Sequence, residues 1–198
     1  MYYYDKEFGG LRPQKDFNEF RNVKAFQKML SFRASSWLGQ WDNGIVIMPM
    51  DTGNCASINI LPSGEKVLLL DSGIIDELTK KPEVMVREME YILIHELEHL
   101  KQLESGDLVT LFVDDNRAEY YTLVWKGEEF IMPFVKLEMS VDEYDALPWE
   151  QAAIDAEIGL AVEDGLVGSL EEGRVLYAMS RHNSFTMALD EEPLYNVG

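Results

Sequence analysis

Apolar residues recur along the chain with two periods, and the switches between them mark its elements. In "DFNEFRNVKAFQKMLSFRASSWLGQW", Phe17, Phe20, Val23, Phe26, Leu30 and Phe32 fall at roughly helical spacing. This predicts an amphipathic helix over about 16–38, within an amino-terminal segment 1–40. Over 43–72 the runs shorten into strands. "GIVIMPM" is apolar and strand-like, and "CASINILPSGEKVLLLD" reads as a hairpin around Pro62, Ser63 and Gly64. The longest helical stretch is "KKPEVMVREMEYILIHELEHLKQLESG", predicted over 82–105. Pro82 suits its first position and Gly106 the residue just past its end.

"DLVTLFVDD", "EYYTLVW" and "EEFIMPF" then predict β-hairpins over 107–135, punctuated by Asp-Asp-Asn and Lys-Gly. A second clear helix, "LPWEQAAIDAEIGLAVEDG", is expected over 148–165, with Pro148 near its start and Gly165 near its stop. The segment 169–198 opens with Ser169 and Glu172 at capping-box spacing, weakened by Gly173, and runs into a tail. Helices and antiparallel strands in this order indicate an α+β fold, expected as a single domain over 1–198.

Charge and cysteine usage narrow the classes of function. The 36 acidic residues against 17 Lys and Arg give a formal charge of −19, which argues against a nucleic-acid or anionic-membrane surface. Cys55 is alone, so neither a disulfide framework nor a cysteine-based zinc site is expected. The amino terminus lacks an apolar core of signal-peptide length, and no apolar run approaches a membrane span. The expected compartment is cytoplasmic.

The chemistry concentrates in "HELEH", an instance of H-E-x-x-H. Four residues on an α-helix advance about 400°, so His95 and His99 stand one turn apart on one face, able to grip a single zinc ion. Glu96, rotated by about 100° from His95, is placed to take a proton from the water that the metal activates and hand it to the leaving group. Ile92, Leu93, Ile94, Leu97 and Leu100 make the helix too apolar for a solvated surface element. Glu98 reads as a solvent-face residue. A catalytic zinc usually takes three protein ligands. No histidine follows closely, so a carboxylate is the better third donor, and Glu150, Asp155 and Glu157 are the candidates. Glu150 also fits a plainer role, as a first-turn carboxylate facing the helix dipole.

"HELEH", followed downstream by a helix bearing "WEQAA", resembles the gluzincin metallopeptidases, particularly the small single-domain ones. "WKG" (Trp125 to Gly127) and "LPWE" (Leu147 to Glu150) are similar to segments of small metallopeptidase-like proteins encoded by bacteriophages. The likeness spans about residues 85–165. It implies a zincin-like fold with one zinc held by His95, His99 and Glu150, and Glu96 as general base. It implies a protein or peptide substrate, and host cytoplasm as the location if the protein is phage-encoded. It also implies an edge strand beside the active-site helix, for which "KVLLLDSG" is the expected run.

One departure stands out. Many gluzincins carry an aspartate four residues after the glutamate ligand, supporting the first histidine. Here that position is Ile154, and the next residue is Asp155. Tyr144, Tyr177, Arg181 and His182 are weak candidates for stabilising an oxyanion. The rival reading is a non-catalytic, zinc-stabilised acidic module that binds a protein partner, its fourth ligand position closed by Asp155 or His182.

Overall fold

The computed structural model describes residues 2–5, 10–13, 31–38, 46–50, 56–61, 64–71, 73–74, 80, 82–111, 120–133 and 139–179. Cys55, Arg181, His182 and most of the helix expected over 16–38 lie outside them.

The elements in chain order are β1 (Tyr2–Asp5), β2 (Gly10–Pro13), α1 (Phe32–Leu38), β3 (Val46–Met50), β4 (Ala56–Ile60), β5 (Lys66–Asp71) and α2 (Pro82–Ser105). They continue with β6 (Leu108–Leu111), β7 (Tyr120–Trp125), β8 (Glu128–Pro133), α3 (Val141–Asp145), α4 (Pro148–Glu163) and α5 (Leu170–Met179). The fold is α+β, as expected. The antiparallel β1–β2 hairpin precedes the helix expected over 16–38, within the amino-terminal segment 1–40.

Besides the β1–β2 hairpin, the described strands form two three-stranded sheets. In the first, β5 is central, parallel to β3 and antiparallel to β4. This corrects the expectation that "KVLLLDSG" forms the edge. Val67, Leu68 and Leu70 are buried, so β5 is covered on both faces and reads as a continuous apolar run, the mark of an interior strand. Among the described residues, the edge strand beside α2 is β4. The second sheet is the antiparallel meander β6–β7–β8. Its β7–β8 turn places Lys126 and Gly127 at φ 49° and 87°, the left-handed pair that a two-residue hairpin turn demands.

The helix α2 serves three neighbours at once. Met89, Leu93, Leu97 and Leu100 pack with Ile58, Leu68 and Leu70 under the first sheet, each fully buried leucine contributing about 1.5–3 kcal/mol. Tyr91 packs instead with Ile154, Ile158 and Leu160 of α4. Past its end, Leu108 joins Leu123, Met132 and Trp149 in a third cluster. Tyr91, His95, His99 and Gln102, spaced i, i+4, i+8 and i+11, therefore form one stripe directed at α4. Among the described residues, no helix is long and apolar enough to cross a membrane.

Candidate metal centre

Pro148 at the first turn of α4 needs no N–H partner, and its preset φ starts the helix directly after Leu147. Glu150 thus emerges in the first turn, facing the α2 stripe. The short helix α3, absent from the sequence reading, ends just before it. Its start was legible, because Ser140 and Glu143 form a full capping box: the Ser140 hydroxyl accepts from the Glu143 N–H at 3.2 Å, and the Ser140 N–H donates to Glu143 at 2.8 Å.

The fold brings three donors together. His95 Nε2 and His99 Nε2 lie 3.1 Å apart, and Glu150 Oε2 lies 3.5 Å from the first and 3.4 Å from the second. Bonds of about 2.0–2.1 Å to a tetrahedral ion require donors about 3.3–3.4 Å apart, so this triangle has the right size for zinc. Glu150 is the carboxylate that joins the two histidines in a group able to hold a metal ion.

The outer faces of both imidazoles are held as well. His95 Nδ1 lies 2.5 Å from Glu157 Oε1, and His99 Nδ1 lies 3.0 Å from Gln102 Oε1. In the neutral rings, an Nδ1 that donates outward leaves Nε2 its lone pair for the shared point. Glu96, Gln102, Glu150 and Glu157 are each at most 8 % exposed. Buried polar groups of this kind need partners: Gln102, Glu150 and Glu157 meet the two histidines, and Glu96 takes a backbone hydrogen bond from Ile58.

The electrostatics follow from that packing. Burial opposes a charged His95, yet bonds to Glu150 and Glu157 outweigh it and push its pKa up to about 10. His99 is raised too, Glu150 overcoming burial. Burial would raise Glu150, but His95, His99 and Tyr144 hold it well below the usual carboxylate range. Burial lifts Glu96, an effect that His95 and His99 partly offset, and Glu96 also takes a backbone hydrogen bond from Ile58 of β4. Burial and the Glu150 charge raise both Tyr144 and Tyr121, and the Tyr144 hydroxyl donates to Glu150.

The remaining candidates fall elsewhere. Asp155 is turned away and paired with Arg174 at 2.8 and 2.6 Å, which removes it as a ligand, as a closing fourth donor or as support for a histidine. Glu157 supports His95 rather than joining the donor triangle. Tyr177 packs on the cluster of Ile154 and Ile158, and Tyr144 bonds a donor of the triangle. Gln102 and Tyr121 were missed by the sequence reading. Gln102 stands three residues after His99, on its stripe, and that spacing was the available signal. No protein-family model, curated protein sequence or solved structure matches the chain.

Proposed function

We propose that this chain is a zinc-dependent peptidase of zincin type, with His95, His99 and Glu150 holding the metal and Glu96 acting as general base. The observation that carries this reading is the placement of a buried carboxylate, Glu96, one residue from a His-His-Glu triangle of zinc size. A zinc ion there would supply a Lewis acid that brings the pKa of a water toward neutrality and polarises a carbonyl.

The chain's own residues do the rest. Burial raises the Glu96 carboxylate toward the range in which a general base works best near neutral pH. It takes a proton from the attacking water and delivers it to the amide nitrogen as the peptide bond breaks. The Ile58 N–H fixes its orientation and places it against the β4 edge. An extended peptide adding to that edge by backbone hydrogen bonds would bring its scissile bond beside Glu96. The rival reading of a closed structural zinc site needs a fourth protein ligand; of its two candidates Asp155 is paired with Arg174, and His182 lies outside the described residues.

The test is zinc content by elemental analysis of the wild type and of His99→Ala, purified without chelator, joined to a peptide-library hydrolysis assay. About one zinc per chain, lost in the variant, with zinc-dependent cleavage is the expected result. Absence of zinc in the wild type after adding it back overturns the reading.

A further inference from the structure

We propose that Gln102 is a positioning residue that locks the tautomer of His99 to the helix carrying Glu150; this rests on the metal-site reading above. The inference starts from a backbone atom. The Trp149 carbonyl, one residue before Glu150, lies 3.0 Å from Gln102 Nε2. A carbonyl oxygen can only accept, so the amide NH2 of Gln102 must face it. The amide oxygen is then left toward His99 Nδ1, at 3.0 Å. An amide oxygen also only accepts, so His99 must carry its neutral-form proton on Nδ1. Its Nε2 is thereby left free, on the side of His95 and Glu150.

One side chain thus sets two things. It selects the ring nitrogen that can bind metal, and it pins the first turn of α4 to α2 at the point where Glu150 emerges. Both anchors are rigid. Trp149 is buried and stacks edge-on against Phe130 at 5.1 Å, and Gln102 is itself only 4 % exposed. Water is poorly placed to substitute at such a site, so Gln102 has no ready replacement.

The experiment compares zinc affinity, by chelator competition, in the wild type and Gln102→Leu, with folding checked by circular dichroism. Two-dimensional NMR of the zinc-loaded proteins reads the His99 Nδ1–H. The expected result is a zinc affinity about 10–100-fold weaker in Gln102→Leu, with a slowly exchanging Nδ1–H in the wild type that becomes fast in the variant. Where Gln102→Leu fails to fold, the near-isosteric Gln102→Glu serves. It keeps an acceptor for His99 but not the donor to Trp149, so Nδ1–H protection should persist while amide protection around Glu150 falls. Wild-type zinc affinity in a folded Gln102→Leu, or unchanged amide protection in Gln102→Glu, overturns the role of Gln102 alone. A wild type that binds no zinc overturns the metal reading along with it.

Discussion

Glu157 Oε1 lies 2.5 Å from His95 Nδ1, seven residues beyond Glu150 on the same helix. Seven residues advance about 700°, within 20° of two full turns, so Glu150 and Glu157 occupy one face of α4. One α4 carboxylate is thereby presented to the inner nitrogens of the histidine pair and the other to the outer nitrogen of His95. His95 is thus held from seven residues beyond Glu150, and the position four residues on carries Ile154.

Removing that support should weaken the metal. Glu157→Ala is expected to lower zinc affinity about 10–100-fold, the usual cost of losing the partner of a ligating histidine. Glu157→Gln, which keeps an acceptor, should lose less. Asp155→Asn should bind zinc as the wild type does, because Asp155 serves Arg174. Chelator competition on the three variants checks this, and a zinc defect confined to Asp155→Asn would reverse the assignment.

Glu96 and Glu150 should separate chemistry from binding. Glu96→Gln is expected to keep its zinc and lose hydrolysis by at least about 100-fold, the scale of general acid–base catalysis. Glu150→Ala should lose zinc, and activity with it. Full activity in Glu96→Gln would remove Glu96 as the base.

Zinc affinity should climb with pH. Without metal, His95 holds its proton to about pH 10 through Glu150 and Glu157. That proton contributes stability to the metal-free fold below the unfolded histidine pKa near ~6.5, and the contribution is lost as pH rises through about 10. Zinc competes with it, so binding near neutrality should release at least about one proton per ion. Calorimetry in two buffers of different ionisation heat measures the release. An affinity that stays flat between about pH 6.5 and 9 would contradict the proton competition.

The α4–α5 contact leaves no room for a methyl group. A Cβ added at Gly173 would clash with Cγ2 of the fully buried Ile158. Gly173→Ala should therefore cost about 1–3 kcal/mol, as overpacking of a filled core does. Urea titration checks it. The same glycine only weakens the capping signal: Ser169 still accepts from the Glu172 N–H at 3.2 Å, while the Glu172 carboxylate reaches the Gly168 N–H at 2.7 Å.

Much of the site was already present in local periodicity. That His95 and His99 share a face, that Glu96 sits beside them, and that α4 opens at Pro148 and presents Glu150 early all follow from 3.6 residues per turn and a proline at a helix start. The same arithmetic puts Asp155 about 140° from Glu150 and Glu157 almost in line with it, so the supporting carboxylate was also legible in principle. What the sequence could not determine is which faces meet. Periodicity describes a helix about its own axis and says nothing of its rotation against a neighbour 50 residues away. Packing decided that the stripe of Tyr91, His95, His99 and Gln102 faces α4, and that a Trp149 carbonyl meets Gln102. It also decided that β4, and not β5, forms the edge by Glu96. Those choices depend on burying several apolar clusters at once, a condition set by the whole chain and by no single segment of it.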